Sequence, residues 1–202
     1  MKIICIGRNY SEHAKEMNAD VPKQPMFFLK PDTALNRENK FYIPDFSNNV
    51  HYELEVVVKI SKVGKSIDQK FAHKYYNEFT LGIDFTARDL QAKCKEKGHP
   101  WEIAKGFDNA AYLASTWFNK EDFDLNSLKF DLLKNNEPVQ KGTTSDMIFN
   151  IDELISHVSK FITLKQGDLL FTGTPSGVGQ IVQGDKLIGK IEENQVFELS
   201  VR

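Results

Sequence analysis

The chain has 202 residues, with 26 Lys and Arg against 28 Asp and Glu, a formal net charge of −2 and 41% apolar residues. That length fits one domain, residues 1–202, with a sizeable core. The charge balance excludes a nucleic-acid-binding role built on a basic surface, and the mixture is that of a globular chain rather than a disordered one. No apolar run approaches the ~18 residues of a membrane span. The first apolar run, residues 3–6, is too short for a secretory signal. Cys5 and Cys94, neither in a CxxC pair, read as reduced thiols of a cytoplasmic protein rather than a disulfide framework or a zinc site.

Taken in chain order, residues 2–6 form a short apolar strand. Asn9 with Glu12 has the spacing of a capping box and predicts a helix through Met17. Residues 30–40, with Pro31, Asp32, Asn36 and Asn39, read as a loop. Residues 53–60, rich in Val, predict a strand. Ser66 with Gln69 predicts a helix ending near Tyr76. Residues 80–84 predict another strand. Thr86 and Asp89 would cap a helix over residues 87–97, which Gly98 and Pro100 stop. Further strands fall at 130–133, 169–172, 186–191 and 196–201. Between them, residues 152–161 predict the clearest helix, because Ile151, Leu154, Ile155, Val158 and Phe161 share one face. Strand and helix do not alternate regularly, which predicts a predominantly β, α+β domain rather than a doubly wound sheet.

Five clusters could carry chemistry. Glu53 and Glu55 point to one face of their strand, because side chains two apart do. Two like charges that close call for a cation or a proton between them, unless the face is open to water. Asp84 sits at a strand-to-helix junction and could add a third oxygen ligand, or simply cap a turn. All-oxygen ligation suits Mg²⁺, Mn²⁺ or Ca²⁺ rather than zinc. His13 and Glu16 are helical neighbours, either a water-activating pair or a surface contact. Lys105, on what reads as a short apolar strand, is either buried with partners or extends to solvent. The loop Thr172-Gly173-Thr174-Pro175-Ser176-Gly177-Val178-Gly179 could cradle an anion or be a tight turn. His51 flanks the carboxylate strand and could support it. His73, His99 and His157 read as surface or capping residues.

In this order the clusters resemble the fumarylacetoacetate hydrolase family. The resembling segments are Ile6-Gly7-Arg8-Asn9-Tyr10-Ser11-Glu12-His13-Ala14-Lys15-Glu16, Phe28-Leu29-Lys30-Pro31, His51-Tyr52-Glu53-Leu54-Glu55, Asp84-Phe85-Thr86-Ala87-Arg88-Asp89-Leu90-Gln91, Trp101 to Asp108, Asp146-Met147-Ile148-Phe149 and Gly167 to Gly179. They span nearly the whole chain, and the length resembles the short, single-domain, acylpyruvase-type members. The resemblance implies a mixed β-sandwich roll with a few peripheral helices, assembled as a homodimer. It implies Glu53, Glu55 and Asp84 as ligands of Mg²⁺ or Mn²⁺, and Lys105 as the active-site lysine. It also implies Arg88, Gln91 and Thr174 as substrate contacts, and His13 with Glu16 as a water-activating pair on a closing segment. The implied substrates are small 2-oxo and 2,4-dioxo acids, with neither nucleic acid nor membrane as partner.

The implied reaction is hydrolysis of a C–C bond in an acylpyruvate, with decarboxylation or tautomerisation of oxaloacetate at the same site. Isomerisation of 2-hydroxy-dienedioates in aromatic catabolism is the alternative, and a non-catalytic dicarboxylate-binding protein the reading from another class. Two positions depart from the family pattern. Asn109-Ala110 stands where a Pro-Gly pair is common, and Asp32 follows Pro31 where small hydroxyl residues are common. A near-neutral chain would also conceal a local excess of acid at the three carboxylates.

Overall fold

The computed structural model describes residues 1–16 and 20–202. In chain order the elements are β1 (Ile3–Gly7), α1 (Ser11–Glu16), β2 (Met26–Lys30), β3 (Leu35–Asn36), β4 (Lys40–Phe41), β5 (Val50–Tyr52) and β6 (Leu54–Ile60). Next come α2 (Gln69–Ala72), β7 (Tyr76–Asp84), β8 (Thr86–Ala87), α3 (Arg88–Lys97), α4 (Glu102–Lys105), β9 (Ala111–Leu113), β10 (Phe118–Asn119), β11 (Lys129–Lys134) and β12 (Glu137–Thr143). The chain ends with α5 (Ile151–Phe161), β13 (Leu169–Phe171), β14 (Gly179–Gln180), β15 (Lys186–Ile191) and β16 (Asn194–Val201).

Strands dominate, as the sequence predicts. An eight-stranded sheet runs β2-β1-β13-β6-β7-β9-β3, with β10 added beside β7. It is mixed, because β1 lies parallel to β13 and β3 to β9 while the other pairs are antiparallel. A five-stranded sheet runs β12-β11-β15-β16-β4, and a small sheet joins β14, β5 and β8.

The core explains the sequence pattern of β6. Leu54, Val56 and Val58 pack with Leu81, Phe130, Leu132 and Leu199 between the two larger sheets. Val57 turns the other way, into a second cluster with Ile3, Cys5, Leu113 and Phe171. Both faces of the strand are covered, so its apolar run is continuous rather than alternating. Glu53 and Glu55 lie in register with Val57 on that second face. Its apolar packing therefore ends in carboxylates.

Several local expectations need correction. Asn9 does not cap α1. Its side chain donates to the carbonyls of Phe149 (3.0 Å) and Thr172 (2.8 Å) and accepts from the Phe149 N–H. The predicted end of that helix at Met17 lies outside the described residues. Ser66 has a left-handed φ of 50° and its N–H donates to Ser159, so Asp68 caps α2 instead. That helix stops at Ala72, and Tyr76 opens β7. Thr86 is a strand residue, and α3 begins at Arg88 with no side-chain cap. Asp89 accepts from the Ser47 hydroxyl at 2.6 Å. The predicted stop at Gly98 is correct: the residue is left-handed, and its N–H returns to Cys94 and Lys95.

Residues 30–40 contain β3, the start of β4 and a 3-10 turn rather than a plain loop. Lys105 ends a short helix, not a strand. Helix α5 forms as predicted, closed by a reciprocal Asn150–Glu153 capping box. Its Phe161, expected on the buried face, is exposed. No helix among the described residues is long and apolar enough to cross a membrane.

Candidate metal centre and active site

The carboxylates converge because β6 and β7 are antiparallel neighbours in fixed register. Leu54 lies opposite Ile83, and the Asp84 N–H donates to the Glu53 carbonyl at 2.9 Å. Glu53 and Glu55 share a face, and Asp84 joins them from the end of the adjacent strand. One oxygen from each lies within 4.8 Å of the others, and all three residues are buried.

Cations answer two of them. The Lys105 ammonium donates to Glu53 Oε2 (2.8 Å) and Asp84 Oδ2 (2.7 Å). Glu53 Oε1 accepts from Arg88 Nη2 (2.6 Å) and from the Thr86 hydroxyl (3.1 Å). Arg88 also donates to Gln91 Oε1 at 2.7 Å, which fixes the amide beside it. Burial opposes charge on Glu53, but Lys105 and Arg88 outweigh it and hold the carboxyl well below the usual range. Burial likewise opposes charge on Lys105, and Asp84 and Glu53 prevail, raising its pKa. Lys105 is therefore a cation at neutral pH, fitted to donate hydrogen bonds rather than to act as a base.

Lys30 supplies a third cation that residue spacing does not reveal. It is fully buried and lies 2.5 Å from Asp84 Oδ1. Its ammonium also donates to the carbonyls of Ala110 (2.7 Å) and Phe85 (3.2 Å). It resembles a loop residue only because Pro31 and Asp32 follow it. The departure at Asn109 serves this contact: its φ of 64° turns the chain, which Asn tolerates, and presents the Ala110 carbonyl. The expected excess of acid is thus smaller than three carboxylates imply.

Glu55 is the exception. Among the described residues it has no ion pair, and its Oε2 accepts only the Gly173 N–H at 2.7 Å. Burial first, then Asp84 and Glu53, push its carboxyl well above the ordinary value. Gly173 is needed there twice. Its φ is 100°, and a Cβ would come within 2.7 Å of Asn9 Cβ.

His13 and Glu16 meet at 3.1 Å through Nδ1 and Oε2. Glu16 is anchored in turn by the Gly177 N–H at 3.1 Å, so α1 is tied to the Gly-rich loop. In that loop Thr174 accepts from Gln140 Nε2 at 2.8 Å, and Gln140 Oε1 accepts the Leu54 N–H. Gln140, from the other large sheet, therefore braces both the loop and the carboxylate strand. Nothing in its sequence context signals this. His51 does not reach the triad: it pairs with Asn49 at 2.8 Å, and burial and Arg88 lower its pKa to about 4.

Every predicted site residue except Glu16 lines one cavity of about 40 Å³. A larger cavity, of about 820 Å³, lies beside the start of α5 and touches none of them. The donor set of the triad is all oxygen, buried and converging, and Glu55 lacks a positive partner. Those features fit a hard divalent cation.

A mixed β-roll with a buried carboxylate triad, flanked by lysines and a His–Glu pair, is the framework of a metal-dependent enzyme. Residues 2–199 match the fumarylacetoacetate (FAA) hydrolase C-terminal family. The chain belongs to that family. It is 42% identical over 191 residues to the mitochondrial oxaloacetate tautomerase FAHD1 of Mus musculus, covering 94% of this chain and 86% of the relative. Among solved structures it superimposes, at a TM-score of 0.94 and 33% identity, on fumarylpyruvate hydrolase of Pseudomonas aeruginosa in complex with Mn²⁺ and pyruvate. That match covers 100% of this chain and 89% of the other. It also matches a 5-carboxymethyl-2-hydroxymuconate delta-isomerase of Mycobacterium smegmatis, at a TM-score of 0.85 and 32% identity over 99% of this chain and 78% of the other.

Proposed function

We propose that this protein is a Mg²⁺- or Mn²⁺-dependent enzyme that hydrolyses the C3–C4 bond of 2,4-dioxo acids to pyruvate and a carboxylic acid. Oxaloacetate would be decarboxylated or tautomerised at the same site. The observation that carries the reading is one cavity lined by the buried triad, the Lys105 cation and His13, whose Nδ1 is bound by Glu16. The whole chain, residues 1–202, forms the catalytic domain. We assign it to the cytoplasm, on the two buried free thiols.

Glu53, Glu55 and Asp84 would hold the cation, which supplies Lewis acidity toward the carboxylate and oxo oxygens of the substrate. Arg88, Gln91 and Thr174 orient the substrate's polar end. Glu16, bound at Nδ1, fixes the His13 tautomer and leaves Nε2 to take a proton from water. The oxygen of that water attacks C4. The C3–C4 bond breaks with its electron pair on C3, giving the enolate of pyruvate, which Lys105 stabilises by hydrogen bonding. A proton returned to C3 completes the products.

Decarboxylation or tautomerisation of oxaloacetate passes through a similar enolate and needs no activated water. His13→Ala should therefore collapse acylpyruvate hydrolysis and spare oxaloacetate turnover. Equal loss of both would refute this division of labour. A Glu53→Ala protein that bound Mg²⁺ normally would refute the metal assignment. The isomerase reading draws support from the match to the mycobacterial enzyme. A metal-dependent panel of acylpyruvates and oxaloacetate, assayed with and without EDTA, separates it: no turnover across the panel would favour it.

A further inference from the structure

The cavity is not uniformly acidic. Of its three carboxylates, Glu53 and Asp84 are paired with Lys30, Lys105 and Arg88, and Glu55 is held by the Gly173 N–H alone. Two more cations, Arg8 and Lys95, also line it. Neither makes an ion pair or a side-chain hydrogen bond among the described residues, and residues 17–19 carry no acidic side chain.

The two come from different elements. Arg8 sits at the corner between β1 and α1 with a φ of 58°, a conformation costly outside glycine. The next residue, Asn9, is fixed by its three hydrogen bonds to Phe149 and Thr172. The strained corner is therefore held rather than incidental. Lys95 lies on α3 with its ammonium 5.5 Å from the centre of the Trp101 ring. Burial first, then Arg88 and Arg8, lower its pKa against the opposing pull of Glu53, so Arg8 and Lys95 lie near enough to repel each other. No carboxylate is bonded to either cation, so both are free to receive an anion that enters the cavity they line.

We propose that Arg8 and Lys95 form a second anion subsite that binds the remote carboxylate of a dicarboxylic 2-oxo acid, selecting it over a monocarboxylic one. The proposal rests on the reading of the triad as a 2-oxo acid site, and it names the substrate class: oxaloacetate, or a 2,4-dioxo acid whose acyl end carries a carboxylate.

The test uses the full chain loaded with Mg²⁺ and scores binding by calorimetry, apart from turnover. 2-Oxoglutarate is compared with 2-oxopentanoate, which has the same carbon chain and no second carboxylate. The parent protein should favour 2-oxoglutarate by about tenfold or more, the worth of a charge-assisted hydrogen bond. Lys95→Gln and Arg8→Gln should each shrink that preference while leaving 2-oxopentanoate affinity unchanged, and Lys95→Arg should retain it. Lys95 is on an exposed helix face, so its variant keeps the test available if the Arg8 variant fails to fold. Equal affinities in the parent, or an undiminished preference in Lys95→Gln, would overturn the subsite. A protein that shows the preference but hydrolyses no 2,4-dioxo acid would overturn only the proposed reaction. One that hydrolyses acetylpyruvate without any preference would overturn only the subsite.

Discussion

Two buried lysines share Asp84 and do different work. Lys105 contacts both Glu53 and Asp84 from the cavity side, whereas Lys30 binds Asp84 from behind and spends its other donors on the carbonyls of Phe85 and Ala110. Removing Lys30 would take the buried cation from Asp84 Oδ1 and the Phe85 carbonyl, while Lys105 still pairs with Asp84 Oδ2 and the Phe85 N–H still reaches the Ala110 carbonyl. Lys30→Met should therefore destabilise the metal-free protein by about 3 kcal/mol, the low end of the cost of breaking a buried pair, because Lys105 still answers Asp84. Lys30→Arg should not rescue it, because a planar guanidinium does not match three acceptors arranged around an ammonium. Urea unfolding of the three proteins checks both statements. Gly173→Ala is a second expected loss, of about 2 kcal/mol from left-handed strain and the clash with Asn9. It should also weaken Mg²⁺ binding in calorimetry, because the Gly173 N–H positions Glu55. At this scale the sequence was legible wherever spacing carried the chemistry, as in Glu53 and Glu55. It was illegible for Lys30 and Gln140, whose partners are far away along the chain.

Helix caps give the same lesson at the level of elements. Asn9, Ser66 and Thr86 each have capping spacing, yet none caps a helix. Asn9 braces Phe149 and Thr172, Ser66 is turned left-handed against α5, and Thr86 donates to Glu53. Tertiary partners outbid local ones for these side chains. The Asn150–Glu153 box on α5 has no such competitor and forms in full. Asn150→Ala should cost about 1 kcal/mol in thermal unfolding and leave turnover unchanged, since α5 contributes nothing to the cavity. Helix α1 behaves differently. Its six described residues make fewer than two turns, and Glu16 ties them to the loop at Gly177. Amide exchange should run faster in α1 than in β6, and Glu16→Ala should widen the gap. Equal rates in parent and variant would show that the tie does not hold the helix.

The strands and their predominance were readable from Val- and Ile-rich runs, because both faces of the central sheet are buried. The order of those strands was not, since β13 inserts between β1 and β6 from a distance of over a hundred residues. At the scale of the whole molecule, alkaline stability follows from tyrosines. Burial raises the pKa of Tyr112 to about 12, with its hydroxyl donating to Asn39, and burial followed by Asp152 raises that of Tyr76. An unfolded tyrosine ionises near pH 10. Above that pH the unfolded chain holds fewer protons than the folded one, so stability should fall from about pH 10 to about pH 12. Tyr112→Phe should flatten that limb in pH-dependent denaturation. The family resemblance also implies a homodimer, which stands as a proposal for this chain. Light scattering should then return twice the chain mass.

Cys5 lies on β1 in the cluster with Val57 and Phe171, fully buried. Burial first and Asp84 next push its thiol well up, so in the closed protein alkylating reagents are expected to leave it unmodified. That makes it a native clock. With Cys94 replaced by serine, the labelling rate of the remaining thiol reports how often the sheet beneath the carboxylates comes apart. A bound divalent cation should slow that clock in proportion to its own occupancy.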